Sequence, residues 1–482
     1  MTTPIAPYLA LMQRQLATTL MPKDDDNAQR IARYSHQVLT QLLLQSKTLP
    51  ELHAKAIAEL GEILGELNAH LPTIVGAMVL TGELTHYIRV APDFAKLEPV
   101  LQRTVSVLIA NPSQTSTKLL KRISDILENL QEAIHQAALK QKPVAEDAGA
   151  SKPPLSDEQK AALQAWLRRK FPAEAAVEIG NIKFIVGGGS KMTLIVGLKN
   201  TKELPATVIL RADAAGGVVQ STVADEYQLI DTVYKAGVIV PKPIAEEKDT
   251  SVIGAPFVIV SCMPGRNIGD HVDVYEPSES FALGVARALG KLHAIPPEKF
   301  SDTTPGAKDS VRERLLKDIG SFEATWRNSG HPSVSLELAY AWLRQNIHLA
   351  EGRRALNHGD VGCHNMLADK GELTALLDWE TIFIGNPAYD VAYFMPEAEQ
   401  CVSRDNFLAE YVKAGGTMPT QGEMDYYSLL VAVFKIGYLF VARSFFHSGI
   451  SDSLILAFGT QHLYQRCEHN LQKVINDIYK RM

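Results

Sequence analysis

The segment HGDVGCHNMLADKGELTALLDWETIFIGNPAYD, residues 358–390, decides how this chain folds. Two short apolar runs, 366–368 and 373–377, flank the turn residues DKG at 369–371. This pattern predicts a β-hairpin, because a glycine-containing turn between two apolar runs lets the chain reverse. The two ends of a hairpin lie side by side. Polar residues before the first strand are therefore expected close to polar residues after the second.

Three polar side chains occupy those two ends. Asp360 and Asn365 precede the first strand, and Asp378 follows the second. Phosphoryl transfer from a nucleotide uses such a set, with a carboxylate for the acceptor hydroxyl and oxygen ligands for Mg²⁺ on the phosphates. We therefore predict Asp360 as the catalytic base and Asn365 and Asp378 as metal ligands. A lone HGD triplet would more often be a polar turn, but the joint spacing of HGD, Asn and LDWE favours the site.

The motifs HGDVGCHN, LLDWE and GNPAYDVA resemble the catalytic segment of the aminoglycoside phosphotransferase and choline kinase family, which are small-molecule kinases with a protein-kinase-like fold. The resemblance extends over roughly residues 156–480. It implies an α+β, bilobal fold with an antiparallel sheet in the N-lobe and a helical C-lobe. We predict that His358 and Asp390 support the catalytic loop by hydrogen-bonding its backbone and take no part in the chemistry.

A glycine-rich turn, GGGSK at 187–191, separates two segments in which apolar residues alternate as in strands. Glycines let backbone N–H groups approach a phosphate because no Cβ stands in the way. Nucleotide contacts are therefore predicted at Gly188, Gly189 and Ser190. The alternative for this segment is a flexible surface hairpin.

The resemblance also implies which residues bind the rest of the nucleotide. Arg211, in a predicted strand, would contact the phosphates and pair with Glu226 at the start of the following helix. Many relatives have lysine at this position, and arginine differs from it by its planar, two-pronged charge. The adenine would lie near Ser261 and Met263, where a buried strand leads from one lobe to the other.

Four regions are predicted along the chain: an all-α helical bundle at 1–140, a linker at 141–155, the N-lobe at 156–263 and the helical C-lobe at 264–482. The bundle is predicted from apolar residues that recur every three to four positions. The linker lacks this period and is rich in Ala, Pro and Gly. We expect the bundle to fold as a separate domain, to carry no catalytic group and to offer a route to a homo-oligomer. The helix after the linker should open with a capping box of Ser156 and Gln159.

Composition is that of a globular protein, with 46% hydrophobic and 21% charged residues in a chain of 482. The net charge of −6 gives no basic patch for nucleic acid. The four cysteines form no CxxC pair and are expected to be reduced, which favours a cytoplasmic location. The start of the chain has no signal-peptide pattern. The apolar stretch 426–446 is interrupted by Lys435 and Arg443, so we expect a buried helix and no membrane partner.

The sequence therefore predicts an enzyme, a Mg²⁺-dependent phosphotransferase with ATP or GTP as donor and a hydroxyl of a small molecule as acceptor. The LDWE and GNPAYD motifs also resemble kinase domains joined to acyl-CoA dehydrogenases, which implies a hydroxyacyl-CoA acceptor. An aminoglycoside, a choline-like amine and a sugar remain alternatives. A cationic acceptor would need carboxylates, such as those of Glu397, Glu399 and Asp405. The other class considered is a non-catalytic nucleotide-binding regulatory protein of the same fold, which loss of Asp360 or Asn365 would have favoured.

Overall fold

The computed structural model divides the chain into two compact units. The helical unit comprises Met1–Ala150, Arg312–Ala350 and Gln421–Met482, and the α+β unit comprises Ser151–Val311 and Glu351–Thr420. The structure describes residues 48–139, 155–185, 191–213, 222–269, 278–447 and 463–481.

Helices make up most of the described chain. They are α1 (Leu49–His70), α2 (Met78–Thr85), α3 (Phe94–Ala110), α4 (Gln114–Leu139), α5 (Asp157–Lys170), α6 (Val223–Lys235), α7 (Glu279–Ala294), α8 (Val311–Asn328), α9 (Val334–Gln345), α10 (Ala388–Ala398), α11 (Arg404–Lys413), α12 (Gln421–His447) and α13 (Tyr464–Arg481). The strands are β1 (Glu178–Ile185), β2 (Lys191–Lys199), β3 (Thr207–Asp213), β4 (Pro243–Glu247), β5 (Phe257–Ser261), β6 (Arg266–Asn267), β7 (Ala355–Asn357), β8 (Met366–Asp369), β9 (Glu372–Leu376) and β10 (Phe383–Gly385). The predicted α+β class is confirmed.

The larger sheet is antiparallel, with the strand order β1-β2-β3-β5-β4. Because side chains alternate along each strand, the sheet has two different faces. One face buries Leu194 and Leu210 together with Trp166 of α5 in an apolar core. The opposite face carries Arg211, which the strand register places across from Thr193. The sheet thus has an apolar face for α5 and a charged face.

Helix α6 begins with a strong local signal. Thr222 caps its first turn and Asp225 completes a capping box. Asp213, the last residue of β3, accepts a hydrogen bond from the N–H of Val223 at 3.1 Å. The start of α6 is therefore attached to the end of β3. The capping box predicted for Ser156 and Gln159 at the start of α5 is also confirmed.

The predicted catalytic hairpin is confirmed as β8 and β9, which pair from Met366 with Leu376 to Asp369 with Glu372. Lys370 and Gly371 both have positive φ angles, 51° and 82°. Two-residue hairpin turns of this kind match the right-handed twist of the strands. Strand β6 pairs with β8 and extends the hairpin to a three-stranded sheet.

The helical unit differs from the predicted division at residues 140 and 264. Its described N-terminal helices share their core with later helices: α4 packs against both α1 and α13, and α3 packs against α9. Polar side chains are buried in the same contacts, since Gln472 of α13 donates to the carbonyl of Ser124 at 3.0 Å. An amphipathic pattern shows that a helix has a face to bury, but it does not show which distant helix covers it. The predicted helix near residues 31–42 lies outside the described residues, as does most of the predicted linker.

Helix α12 covers the stretch 426–446 and is mostly buried, as expected, but it does not fall short of the length and hydropathy of a membrane span. Its segment Gln421–Ser444 has a mean hydropathy of 1.4 and is long and apolar enough to cross a membrane by length and composition alone. Inside the helical unit, 67% of the most apolar part of this segment is buried. Lys435 and Arg443 therefore do not lower the hydropathy as far as the sequence suggested.

Candidate active site

The loop that carries HGD is held from below by Asp390 of α10. This carboxylate is fully buried, and it accepts hydrogen bonds from the N–H of His358 at 2.7 Å and of Gly359 at 3.0 Å. His293 of α7 places its Nε2 3.2 Å from the same carboxylate. Gly359 has φ of 86°, and a Cβ there would lie 2.2 Å from the carbonyl oxygen of Thr381. The conformation of the HGD backbone thus depends on the buried carboxylate of Asp390 and on the absence of a side chain at Gly359.

His358 links the start of this loop to the end of β9. Its Nε2 lies 2.9 Å from the carbonyl oxygen of Leu377, which can only accept a hydrogen bond. Its Nδ1 faces the N–H of Asp360 at 3.4 Å. In these two contacts Nε2 is the donor and Nδ1 is the acceptor. His358 therefore supports the loop, and its lone pair is directed at the backbone.

Both oxygens of the Asp360 carboxylate are occupied by hydrogen-bond donors. The hydroxyl of Tyr393 donates to Oδ1, while His364 Nε2 lies 3.1 Å and Asn365 Nδ2 lies 2.9 Å from Oδ2. Burial alone would raise the pKa of Asp360, but the His364 ring and the bonds from His364 and Tyr393 hold it well below its usual range. Burial and the adjacent Asp360 raise the pKa of Tyr393 well above its usual value, so the phenol stays a donor. Asp360 is an oriented carboxylate anion.

Asn365 and Asp378 are brought together by the hairpin, since the N–H of Leu377 donates to the carbonyl of Asn365 at 2.8 Å. The amide nitrogen of Asn365 is directed at Asp360, which leaves its amide oxygen for another partner. Asp378 has φ of 63°, a left-handed conformation that aspartate tolerates better than most residues. Its Oδ1 is buried and accepts no hydrogen bond from the described residues. One amide oxygen and one carboxylate fit Mg²⁺, which takes few protein ligands and completes its shell with phosphates and water.

No cluster of three or more His, Cys, Asp or Glu side chains suited to a metal occurs among the described residues. A metal at Asn365 and Asp378 would therefore be shared with the phosphates of a nucleotide.

The predicted ion pair between β3 and α6 is present. Arg211 Nη1 lies 3.0 Å from Glu226 Oε2, and Arg211 Nη2 lies 3.6 Å from Asp378 Oδ1. The Glu226 side chain is only 2% exposed. Burial raises the pKa of Glu226 to about 7, against the opposing effect of Arg211 and Lys191 and with a further rise from Asp378 and Glu380. Arg211 thus connects a buried carboxylate with the carboxylate of the proposed metal site.

Lys191 adds a second cation to this group. Its Nζ lies 2.9 Å from Asp213 Oδ1 and 4.0 Å from Glu226 Oε1, and its side chain is 4% exposed. The group of Lys191, Arg211, Asp213, Glu226 and Asp378 is called the ionic cluster below. It joins β2, β3, α6 and the residue after the catalytic hairpin.

A model of the phosphotransferase enzyme family matches residues 181–427, just over half of the chain. The chain belongs to this family. The matched range includes every residue of the ionic cluster and the whole catalytic loop. It also confirms the family resemblance expected from HGDVGCHN and LLDWE.

Named relatives match a smaller part of this chain. Acyl-CoA dehydrogenase family member 11 of Pongo abelii is 26% identical over 217 residues, which cover 42% of this chain and 27% of that protein. The "Probable acyl-CoA dehydrogenase" of Arabidopsis thaliana is 29% identical over 222 residues, covering 43% of this chain and 26% of that protein. The chain spans about a quarter of the length of these relatives.

A solved structure from Ralstonia eutropha, described as a "putative aminoglycoside phosphotransferase", is similar to this chain with a TM-score of 0.52 and 19% identity. It covers 66% of this chain and 98% of its own length. At this level of identity the similarity concerns the fold, and it supports the protein-kinase-like architecture predicted from the sequence.

Some of the predicted nucleotide contacts lie outside the described residues, and others lie at the end of β5. Gly188, Gly189 and Ser190 fall in the undescribed segment 186–190. Ser261 is the last residue of β5 and Met263 lies two positions beyond it, and the Ser261 hydroxyl accepts the N–H of Lys242 at 2.8 Å. Their side chains are partly exposed, and an adenine there would meet backbone groups.

The carboxylates suggested for a cationic acceptor have partners within the protein. Glu397 accepts the N–H of Cys363 at 2.8 Å, and Glu399 pairs with Arg404 at 2.8 Å. Asp405 lies in the first turn of α11, where a negative charge favours the helix. Two of the three are therefore used in holding the loop and a helix end.

Sequence reasoning missed Lys191, His364 and Tyr393. The alternation of side chains along a strand could have indicated Lys191, since it pairs with Asp213 on the same face as the pair of Thr193 and Arg211. Tyr393 follows Asp390 by three positions on α10, so both point to the same side of the helix. His364 stood within the quoted motif, but nothing in the motif indicated that its ring turns back to Asp360.

Proposed function

We propose that this phosphotransferase transfers the terminal phosphoryl group of ATP, with Mg²⁺, to a hydroxyl of a small molecule. The observation that carries the proposal is the surroundings of Asp360, whose carboxylate is ionised and oriented by Tyr393 and His364. A carboxylate in this state can align an acceptor hydroxyl and take its proton as the new bond forms.

In the proposed reaction the acceptor oxygen forms a bond to the terminal phosphorus while the bond from that phosphorus to the bridging oxygen breaks. The acceptor proton passes to Asp360, and the nucleoside diphosphate leaves with the electron pair. Mg²⁺ would be held by the Asn365 amide oxygen and the Asp378 carboxylate, and when bound it neutralises charge on the phosphates. Arg211 lies beside Asp378 and would hold a phosphate oxygen.

A hydroxyacyl-CoA is the proposed acceptor class. The named relatives carry acyl-CoA dehydrogenase names, although they match this chain over only about a quarter of their length. A second argument is directed against a cationic acceptor. Two of the acidic side chains that such an acceptor would use, Glu397 and Glu399, already have protein partners. A neutral hydroxyl on a long thioester needs no ring of carboxylates.

A panel of acceptors tests this proposal. The protein is incubated with Mg²⁺–ATP and with hydroxyacyl-CoAs of several chain lengths, an aminoglycoside, choline or a sugar, and each acceptor is followed by mass spectrometry. We expect a gain of one phosphoryl group on a hydroxyacyl-CoA, and no gain on the matching acyl-CoA without the hydroxyl. Phosphorylation of the aminoglycoside or choline alone would contradict the acceptor class but retain the reaction. Replacing ATP with GTP in the same assay separates the two donors.

A further inference from the structure

The charged face of the sheet carries two cations directed at one buried carboxylate. Lys191 on β2 and Arg211 on β3 share this face, because the register pairs Lys191 with Asp213 and Thr193 with Arg211. Arg211 approaches Oε2 of Glu226 at 3.0 Å, and Lys191 approaches Oε1 at 4.0 Å. The two oxygens of Glu226 thus each lie near a different cation, although neither accepts a hydrogen bond from the described residues.

A carboxylate that is 2% exposed has lost nearly all its hydration, and a buried charge is strongly unfavourable unless it is paired. Arg211 alone compensates it only in part, since its second nitrogen is 3.6 Å from Asp378. Lys191 is nearly as buried as Glu226. Its ammonium is held by Asp213, which is in turn fixed by the first N–H of α6. The ammonium of Lys191 is thus held in place by protein contacts.

We propose that Lys191 is a positioning residue for Arg211. It supplies the second positive charge that keeps Glu226 an anion, so that Arg211 stays attached to Glu226. This inference rests on the proposed function, because it takes Arg211 as a phosphate contact and Asp378 as a metal ligand. It also gives a reason for arginine on β3, because the two nitrogens of the guanidinium reach Glu226 and Asp378 at the same time. The positive charge of Arg211 is then divided between two carboxylates, and Lys191 adds a second positive charge near Glu226.

Without Lys191, Glu226 binds a proton more readily. A neutral Glu226 leaves Asp378 as the one anion of the ionic cluster next to Arg211. The arginine would then compete at the carboxylate that a nucleotide-bound metal needs. The affinity for Mg²⁺–ATP should fall because the contacts with the phosphates and the metal are weakened. The contacts with the adenine should be unaffected.

The pH dependence follows from the groups that face Glu226. These are Lys191 on β2, Arg211 on β3, and Asp378 and Glu380 after β9. The pKa of Glu226 is raised to about 7, so Glu226 is neutral below that pH and an anion above it. Removing Lys191 removes an effect that lowers this pKa. The pH at which Mg²⁺–ATP binding reaches half its maximum should move upward.

Calorimetry of Mg²⁺–ATP and of adenosine, from about pH 6 to about pH 9, tests the inference. Lys191→Met should weaken Mg²⁺–ATP binding about tenfold near neutral pH, which corresponds to about 1.4 kcal/mol. The loss should shrink in alkaline buffer, and adenosine should bind as in the unchanged protein. Lys191→Arg should restore most of the affinity. Lys199→Met, at the exposed end of the same strand, is the matched control and should change nothing.

A second variant guards against simple misfolding. In Glu226→Gln the anion is absent, so adding Lys191→Met should cost almost no further Mg²⁺–ATP affinity. A loss independent of pH, an equal loss for adenosine, or full additivity in the double variant would overturn the positioning role. If the unchanged protein does not bind Mg²⁺–ATP at all, the proposed function fails instead.

Discussion

At the scale of single residues, Tyr393 is the donor to Oδ1 of Asp360, the carboxylate proposed to accept the proton. Tyr393→Phe removes one hydrogen bond to a charged group, which contributes about 1.5–3 kcal/mol. We expect kcat to fall by about tenfold or more while Mg²⁺–ATP affinity stays unchanged, because the phenol contacts Asp360 and no proposed nucleotide residue. Steady-state kinetics and calorimetry on one preparation measure both quantities.

The matched control is Tyr234→Phe, since Tyr234 lies on α6 and is 39% exposed. It should leave kcat and affinity as they are. A Tyr393→Phe enzyme with full kcat would show that Asp360 is oriented adequately by His364 and Asn365.

Asp378 combines a charge with a left-handed backbone conformation, and a suitable substitution separates the two. Asparagine tolerates positive φ as aspartate does, so Asp378→Asn removes the charge with little added strain. Mg²⁺–ATP affinity should fall at least about tenfold and adenosine affinity should persist, because only the former needs the charged ligand. Calorimetry with both ligands measures this, and an unchanged Mg²⁺–ATP affinity would place the metal elsewhere.

At the scale of elements, the loop that carries HGD depends on Gly359 at the point where it passes Thr381, between β9 and β10. Gly359→Ala introduces a Cβ 2.2 Å from the Thr381 carbonyl oxygen at a positive φ, so the loop must move. We expect a loss of about 1–3 kcal/mol of unfolding free energy and a large loss of kcat. Chemical denaturation and kinetics measure the two effects.

Gly254→Ala separates the two causes of that loss. Gly254 also has positive φ, 90°, but its nearest neighbour is a side-chain nitrogen of Gln159 at 3.6 Å. This control should lose some stability and keep its kcat. If both variants retain kcat, the geometry of the loop is less critical for activity than the contact with Thr381 indicates.

The sequence predicted this level of structure well. The β8–β9 hairpin and the capping box of α5 depend on local patterns, whereas the pair of Arg211 with Glu226 was expected from the family resemblance. Lys191 was missed because its role depends on the register between β2 and β3, which is set by the folded sheet. Tyr393 was missed because the contact with Asp360 joins a helix to a loop 33 residues away.

At the scale of the whole molecule, the N-terminal helices depend on the C-terminal one. Ile475 of α13 is 2% exposed, and α13 packs against α4. Ile475→Ala should therefore lower the free energy of unfolding by about 2–5 kcal/mol, the usual cost of removing a large buried aliphatic side chain. Thermal and denaturant unfolding measure the change.

Lys473→Ala is the control on the exposed side of α13 and should change stability by less than about 0.5 kcal/mol. Equal stability of the two variants would contradict the shared core. The sequence could not predict this core, since the periodicity of residues 49–139 shows buried faces without naming their partners. A bundle that folds alone and one completed by α9 and α13 have the same apolar pattern.

Phosphoryl transfer with Asp360 as the oriented carboxylate is tested by comparing transfer with nucleotide binding in Asp360→Asn. Transfer from Mg²⁺–ATP to a hydroxyacyl-CoA is followed by phosphorus NMR, with calorimetry of Mg²⁺–ATP on the same samples. We expect transfer to fall at least about 100-fold while affinity changes only a few-fold, because Asn365 is the one proposed metal or nucleotide residue that contacts Asp360 among the described residues. Transfer within a few-fold of the unchanged protein would contradict it, as would an unchanged protein that binds Mg²⁺–ATP and phosphorylates no acceptor.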